Sequence, residues 1–398
     1  MDRVLATASS VPPPAAADHP WRDAMVAALF VLALVIPLIG GVLKRDLAHT
    51  RFENRPTAPW PSVAFGAPVA DGPREGQATA GWRRAFEAAF NDRFGGRDRL
   101  IAYHHLALAV GLGVAPVPKV MIGRNGWLFF KGEDQRAIDR DFRGVVPYPA
   151  DEGVRIAAEL QRRHDLLAAR GIPYVVLVAP DKATIYPEYL PRWVKRAPHT
   201  RLDRLFAALA DHPELHVIDP RAKLRAAKPG GQVYYRTDSH WNYGGTTIAY
   251  DLLMSAVRSV VPRVPHVPAE PAPYEPGDTY SGDLANLLGL PRWFEEIDRL
   301  PFRKILGDAT RRCARPIRDP VEPVVQGCPR DGLPRALVYR DSMFDAMIPA
   351  VSENFSRVVY FAGHHMTMAD IDRERPDVVI EEFVERTMHA LLVDPVVR

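Results

Sequence analysis

From about residue 150 onward, the chain alternates between two hydrophobic patterns. One has apolar positions at helical spacing, and the other is a short, continuous apolar run; the helical pattern covers residues 151–171 and 201–212, and the continuous runs cover 172–180 and 215–220. Runs that are apolar on both faces are typical of parallel strands covered by helices on either side. The pattern therefore predicts an α/β domain with a parallel sheet flanked by helices.

The same alternation continues towards the C-terminus. Helices are predicted over residues 244–261 and 343–355, and strands over 335–340 and 357–363. The run "PDVVIEEF", residues 376–383, is predicted to pass from a strand into a helix. Upstream, "VMIGRNGWLFFKG" predicts a hairpin, because Asn125-Gly126 favours a tight turn between β-rich flanks.

Residues 24–43 contain no charged side chain. Twenty helical residues extend about 30 Å, the thickness of the hydrocarbon core of a bilayer. A cleaved signal peptide is the alternative, but its apolar region usually has only about 7–15 residues and ends near an A-x-A site. We therefore expect an uncleaved transmembrane anchor, preceded by a tail at residues 1–23. Basic residues flank the span on both sides, so charge does not fix its orientation.

Composition narrows the class of protein. The chain has 398 residues, of which 47% are hydrophobic, and its net charge of +3 is too small to indicate a nucleic-acid partner. We divide the part after the anchor into an N-terminal extension at 44–149, which is expected to pack on the core, and a catalytic domain at 150–398. A proline-rich stretch at 261–276 predicts a linker within that domain.

The chain has two cysteines, Cys313 and Cys328. They flank a proline-rich stretch in which we expect a loop, and their spacing fits no zinc motif. A disulfide and two free thiols both agree with the sequence. Export from the cytoplasm favours the disulfide, because such bridges persist in oxidising compartments.

Candidate chemistry lies where predicted strands end, the region in which α/β proteins gather functional groups. In "TDSHW", Asp238 and His240 are two positions apart, so in an extended segment their side chains share one side and Ser239 points away. In "YRDSMF", Ser342 follows a strand and precedes a predicted helix. His240 can act as a base for the Ser342 hydroxyl while Asp238 orients the imidazole. The alternative is that these polar residues cap helices.

Three further features allow other interpretations. His364 and His365 follow a predicted strand and, with Asp238 and His240, suggest a metal site, although the spacing matches no common ligand set. Lys182 is either an active-site cation or part of a solvated turn. Trp241 is either a packing residue, which we favour, or a platform for a sugar ring.

Several blocks of the sequence, in order, resemble those of the alginate O-acetyltransferase group (AlgX/AlgJ-like), whose domain has an SGNH hydrolase-like fold. The similar blocks are "FENRPTAPWP", "IGRNGWLFF", "APDKATIYPEYLP", "TDSHWNYGG", "SGDLANLLGLP", "YRDSMF" and "RPDVVIEEFVER". Carried over by position, Asp238, His240 and Ser342 correspond to the family's catalytic triad. One departure is Arg340, which stands where the family has a glycine.

The resemblance implies an acyltransferase of exopolysaccharide, and in particular alginate, biosynthesis. It implies a single-pass protein of the inner membrane with its catalytic domain in the periplasm, and no cofactor. A membrane-bound O-acyltransferase would supply the acetyl group, and a polysaccharide would accept it. Two alternatives remain at this stage: a carbohydrate acetylesterase with the same triad, and a non-catalytic scaffold of a polysaccharide export complex, which Arg340 makes conceivable.

Overall fold

The computed structural model describes most of the chain after residue 97. The described residues are 21, 24–32, 35, 57–61, 75–93, 97–265, 279–297, 315–316, 323–328 and 330–393. The chain divides into two compact units, Met1–Tyr103 and His104–Arg398. The predicted boundary at residue 149 and the linker role of residues 261–276 stay predictions.

In the first unit, residues 57–61 are tied to the helix Glu75–Arg93. The Ala58 amide donates to Asp92 Oδ2 at 2.8 Å, and Arg93 Nη1 donates to the Ala58 carbonyl at 2.7 Å. The ring of Phe86 lies 5.6 Å from that of Trp60 and 5.2 Å from that of Trp82. Hydrogen bonds and aromatic contacts together fix this segment on the helix.

The second unit contains the described strands β1 (Val120–Ile122), β2 (Leu128–Phe130), β3 (Tyr174–Ala179), β4 (His216–Ile218), β5 (Thr279–Tyr280), β6 (Glu296–Ile297), β7 (Arg315–Pro316), β8 (Val324–Gly327), β9 (Arg335–Arg340), β10 (Arg357–Ala362) and β11 (Val378–Val384). Seven of them form one sheet with strand order β4-β3-β11-β9-β10-β8-β7. Strands β4, β3, β11, β9 and β10 are parallel, as predicted. Strands β1 and β2 form the predicted hairpin, with Asn125 and Gly126 at positive φ.

One edge of the sheet corrects the sequence-based prediction. Strand β8 pairs antiparallel with β10, and β7 pairs antiparallel with β8, so the sheet is mixed rather than wholly parallel. These two strands come from the proline-rich stretch in which we expected only a loop. Val325 is buried in the core and drives β8 onto the sheet. Cys328, directly after β8, is disulfide-bonded, and Cys313 lies outside the described residues.

Helices cover both faces of the sheet, as the sequence predicts, and two hydrophobic cores lie between them and the strands. The described α-helices after residue 97 are Arg97–Leu106, Glu152–Ala168, Lys182–Ile185, Arg201–Leu209, Arg221–Ala227, Tyr243–Val260, Asp283–Leu287, Ile348–Ser352, Met368–Glu374 and Ala390–Val393. The helix predicted over 343–355 is much shorter, because residues 345–347 form a 3₁₀ turn before Ile348–Ser352.

Strand β11 also corrects the prediction, because "VVIEEFV" remains a strand throughout. Glu381 and Glu382 favour a helix by propensity, but both are fully buried and have partners across the sheet. Arg163 Nη1 donates to Glu381 Oε1 at 2.8 Å, and Tyr174 donates to the same carboxylate. Tertiary contacts of these carboxylates therefore override the local preference.

The predicted anchor at residues 24–43 lies only partly within the described residues. Residues 24–32 are helical, with exposed apolar side chains that include Leu29 and Phe30. Among the residues that the structure describes, none of the helices has the length and apolarity needed to cross a bilayer.

The buried pair of Arg163 and Glu381 predicts a large stability effect. Arg163→Met leaves the Glu381 carboxylate buried without its guanidinium, so we expect the free energy of unfolding to fall by about 3–5 kcal/mol in urea titrations. The matched control is Arg170→Met, because Arg170 pairs with the exposed Asp372. We expect that control to unfold like the wild type. Equal stability of the two variants would contradict this interpretation of the core.

Candidate active site

The candidate site is built on an irregular segment, residues 235–240, between two bridged residues. Tyr234 and Trp241 form an isolated antiparallel bridge, and the backbone bends between them. The segment is therefore a loop rather than the strand end that we predicted. It leads directly into the helix Tyr243–Val260, whose first turn is capped by the Asn242 side chain.

The loop brings Asp238 and His240 to Ser342. His240 Nδ1 lies 2.6 Å from Asp238 Oδ1, and His240 Nε2 lies 2.9 Å from Ser342 Oγ. The His240 amide also donates to Asp238 Oδ1 at 2.9 Å, which fixes the carboxylate beside the ring. Ser342 is exposed and Asp238 is buried. The three side chains form one hydrogen-bonded chain from a buried carboxylate to an exposed hydroxyl.

A second segment, residues 280–283, holds the other oxygen of Asp238. Asp238 Oδ2 accepts a hydrogen bond from the Tyr280 hydroxyl at 2.6 Å and one from the Asp283 amide at 2.9 Å. Gly282 lies so close that a Cβ there would be 2.5 Å from the Asp238 backbone nitrogen. Both oxygens of Asp238 therefore have fixed partners, and the close approach requires glycine.

Ser239 does not point away from the site, which corrects the prediction from residue spacing. Its hydroxyl donates to Asp283 Oδ2 at 2.5 Å and lies 3.3 Å from His240 Nδ1. The bends in the loop remove the simple alternation of an extended strand. Asp283 thereby becomes a second carboxylate near the imidazole, with its Oδ2 at 3.9 Å from His240 Nδ1.

The electrostatics of the cluster favour a negative Asp238 and a basic His240. Burial alone would raise the pKa of Asp238, but hydrogen bonds and the charge of His240 hold that pKa below its ordinary value. Burial acts to lower the pKa of His240, and the hydrogen bond and charge of Asp238 outweigh burial, so that pKa is raised. Burial and the charge of Asp238 raise the pKa of Asp283. The ring is therefore a stronger base than a free imidazole.

The turn that carries Ser342 is fixed by the preceding Asp341. Asp341 Oδ1 accepts from the Met343 amide at 2.9 Å, and Oδ2 accepts from the Val384 amide at 2.7 Å. The Asp341 amide lies 3.2 Å from Glu382 Oε2, and burial together with the charge of Asp341 raises the pKa of Glu382 well above its ordinary value. Asp341 thus fixes the turn beside Ser342, which itself faces His240, and it does not cap a helix, because the 3₁₀ helix Asp345–Met347 has Phe344 as its N-cap without a side-chain hydrogen bond.

Lys182 is neither exposed nor part of a solvated turn. Its side chain is buried, and Nζ donates to the carbonyl oxygens of Tyr235, Arg236 and Asp238 at 3.0, 3.1 and 2.5 Å. Burial lowers the pKa of Lys182 to about 8, and the nearby carboxylates oppose that shift. The ammonium group thus binds the backbone of the loop that carries Asp238 and His240.

Two other candidates from the sequence have structural roles. Trp241 is only 1% exposed, and its Nε1 donates to the Met343 carbonyl at 2.9 Å, so it packs between the two parts of the site rather than presenting a sugar platform. His364 is buried beside Glu381, with Nδ1 at 3.2 Å from Oε1. Among the described residues, the group of possible metal ligands consists of Asp238, His240 and Asp283, without His364 or His365.

Arg340, which replaces the family's glycine, has its guanidinium directed to Asp345, with Nη1 at 2.6 Å from Oδ1.

Sequence reasoning missed the roles of Tyr280, Asp283 and Glu296. Glu296 accepts hydrogen bonds from the amides of Arg236 and Thr237 at 2.8 and 2.7 Å. Of these three, only Asp283 lies in the block "SGDLANLLGLP", residues 281–291, to which we assigned no chemistry, and Tyr280 directly precedes that block.

Comparison with known proteins shows which domains and proteins the chain is similar to. Residues 120–310 match the model of the SGNH hydrolase-like domain, acetyltransferase AlgX. The resemblance predicted from the sequence is confirmed. The chain is 32% identical over 203 residues to the probable alginate O-acetylase AlgJ of Pseudomonas aeruginosa, covering 50% of this chain and 47% of that protein. It is 30% identical over 183 residues to AlgJ of Azotobacter vinelandii, covering 45% and 44%.

The chain spans about half the length of these curated relatives. Among solved structures, the O-acetyltransferase domain of Pseudomonas putida AlgJ matches with a TM-score of 0.43 and 25% identity, covering 68% of this chain and 91% of that domain. Pseudomonas aeruginosa AlgX matches with a TM-score of 0.39 and 17% identity, covering 67% and 61%. The residues matched by the AlgX-type domain include Asp238 and His240, whereas Ser342 lies beyond them. The link to Ser342 therefore rests on the hydrogen bond between Ser342 Oγ and His240 Nε2.

The close approach at Gly282 predicts a selective loss of activity. Gly282→Ala places a methyl group against the backbone of Asp238 and should displace the carboxylate from His240. We expect hydrolysis of an activated acetyl ester to fall about 10-fold or more, because catalytic groups depend steeply on alignment. Gly230→Ala is the matched control, since a Cβ at Gly230 meets no atom within 4 Å. If both variants fold and hydrolyse the ester equally well, the close approach of Gly282 to Asp238 is not needed for activity.

Proposed function

We propose that this chain is a polysaccharide O-acetyltransferase that transfers acetyl groups through Ser342, His240 and Asp238. The observation that carries the proposal is the continuous hydrogen-bonded chain from Asp238 Oδ1 through the imidazole to Ser342 Oγ. The match to the AlgX-type domain and the names of the AlgJ relatives support the reaction class. By that analogy the acceptor is an exopolysaccharide, with alginate the first candidate.

In the first half-reaction, Ser342 Oγ attacks the carbonyl carbon of the acetyl donor while its proton passes to His240 Nε2. Asp238 stabilises the imidazolium that forms and keeps the Nδ1–H directed at its carboxylate. The bond between the acetyl carbon and the donor then breaks. The leaving group takes the proton from Nε2, and the acetyl group remains as an ester on Ser342.

In the second half-reaction, a sugar hydroxyl attacks the acetyl carbon and gives its proton to His240 Nε2. The bond from Ser342 Oγ to that carbon breaks, and Oγ recovers the proton. Within the described part of the chain, the Ser342 backbone amide has no hydrogen-bond acceptor, which supports it as a donor to the developing oxyanion. Water in place of the sugar would give an acetylesterase, and the exposure of Ser342 keeps that outcome as the second candidate.

We also propose that residues 24–43 anchor the protein in the inner membrane, with residues 1–23 in the cytoplasm and the remainder in the periplasm. The exposed apolar side chains of residues 24–32 and the disulfide at Cys328 support this location. A periplasmic enzyme needs an acetyl donor that crosses the membrane. A membrane-bound O-acyltransferase is the partner of that chemical class.

The triad proposal predicts non-additive losses. Ser342→Ala should abolish turnover of an activated acetyl ester, and adding His240→Ala should reduce the residual rate little further, because the base acts only through the serine. Rates with and without an acceptor oligosaccharide distinguish the two reactions. Acetylated oligosaccharide indicates a transferase, and free acetate alone indicates an esterase.

Thr387→Ala is the control for substitution of a hydroxyl, because its Oγ1 donates to the Val384 carbonyl outside the triad. Melting curves check that each variant is folded. A folded Ser342→Ala protein with wild-type turnover removes Ser342 from the reaction. A wild-type protein that is inactive on every acetyl donor favours the scaffold alternative.

The anchor predicts a definite topology. Fusions of alkaline phosphatase and of green fluorescent protein after residue 60 should give phosphatase activity without fluorescence, because the fusion point would lie in the periplasm. The protein should also remain in the membrane fraction after a carbonate wash. Fluorescence without phosphatase activity would place the candidate domain on the cytoplasmic side and reject the proposed location.

A further inference from the structure

Lys182 lies outside the proposed triad, yet it is bound to the triad's own loop. Its Nζ reaches three backbone carbonyl oxygens, those of Tyr235, Arg236 and Asp238. An ammonium group has three N–H donors and no acceptor, so its donors match these three oxygens one to one. A neutral amine has only two donors and would turn its lone pair towards one of the carbonyls.

Aromatic rings cover the same ammonium group from the hairpin formed by β1 and β2. Lys182 Nζ lies 5.7 Å from the centre of the Trp127 ring and 5.4 Å from that of Phe129. Both rings are almost completely buried, and ring faces attract a cation but offer nothing comparable to a neutral amine. The Leu128 amide of this hairpin also donates to the Arg236 carbonyl at 2.9 Å. The hairpin and the lysine thus hold one loop together.

We infer that Lys182 is a positioning residue for the reaction: its ammonium form holds residues 235–238 so that Asp238 stays aligned with His240, and its deprotonation switches the site off. The inference rests on the proposed function of the triad. In this role Lys182 aligns Asp238 and does not contact the substrate.

The charges around Lys182 fit this role. Asp238, Asp283 and Glu296 are the carboxylates that favour its charged form, whereas burial favours the neutral form and brings the pKa to about 8. The hairpin contributes rings and no charge to this contact. Glu385 binds two residues that flank Lys182 in the chain: it accepts from the Asp181 amide and from Thr184 Oγ1. Burial together with the charge of Asp181 raises the pKa of Glu385 to about 8 as well. The titration of Glu385 must therefore be distinguished from that of Lys182 in any pH experiment.

The test is the pH profile of acetyl-ester hydrolysis by the full chain between pH 5 and 10. Activity should rise as His240 loses its proton, with a midpoint above the ordinary imidazole value of about 6.5, because Asp238 raises that pKa. It should then fall with a midpoint near 8 as Lys182 becomes neutral. Glu385→Gln removes a buried group beside Lys182 whose pKa is also about 8, and this variant should keep the alkaline fall.

Two substitutions of Lys182 separate charge from bulk. Lys182→Met should lower kcat about 10-fold or more at pH 7, with a smaller change in KM, and should lose the alkaline fall. Lys182→Arg keeps its charge throughout the range, so it should retain more activity than the methionine variant and remain active above pH 9. Lys228→Met is the matched control, because Lys228 Nζ donates to a carbonyl outside the loop, that of Ile185. Its pH profile should match the wild type.

A readout that does not depend on turnover is the imidazole itself. In wild-type protein, the Nδ1 proton of His240 should give a far-downfield NMR signal from its short hydrogen bond to Asp238. That signal should weaken as pH rises through 8, and it should be absent in folded Lys182→Met. If the lysine variants do not fold, this wild-type titration alone decides the matter, with Glu385→Gln as its control.

The inference is overturned if the signal and the activity both persist unchanged to pH 9.5 in wild-type protein. It is equally overturned if folded Lys182→Met keeps the wild-type kcat and alkaline fall. Failure of the triad proposal gives a different result. In that case Ser342→Ala remains active, whereas the pH response of the His240 signal still reports on Lys182.

Discussion

The loop of residues 235–240 has little regular backbone pairing. The site depends on hydrogen-bond partners for the backbone carbonyls and amides of this loop. Buried backbone carbonyls and amides need partners, and here side chains from distant segments supply them. Lys182 binds three of its carbonyls, and Glu296 binds the amides of Arg236 and Thr237. The loop is therefore held in one conformation by the rest of the domain, which allows Asp238 and His240 to face each other without a strand beneath them.

Two further contacts connect this loop to the turn that carries Ser342. Trp241 Nε1 donates to the Met343 carbonyl, and His240 reaches Ser342 Oγ. On the other side, Asp341 binds the amides of Met343 and Val384, which ties the turn to the end of β11. The sheet thus determines where Ser342 stands, and the tryptophan sets its separation from the imidazole. Changes in either contact would alter the distance between His240 Nε2 and Ser342 Oγ.

Sequence reasoning was strongest where the pattern is local. The hydrophobic runs identified β3, β9 and β10, and Asn125-Gly126 identified the hairpin, because these signals depend on neighbouring residues alone. It failed where distant partners decide the outcome. Glu381 and Glu382 stay in a strand because Arg163 and Asp341 meet them across the fold. Ser239 turns towards Asp283 for the same reason, and no spacing rule within "TDSH" contains that information.

We propose that Ser342 carries the acetyl group between donor and acceptor. A rapid acid quench of the protein with an activated acetyl ester, followed by digestion and mass spectrometry, tests this role of Ser342. We expect one acetylated peptide that contains Ser342, formed faster than acetate is released, and no such peptide from His240→Ala. Burst release of the leaving group with Ser342 unmodified, or acetylation at another side chain, would contradict the claim.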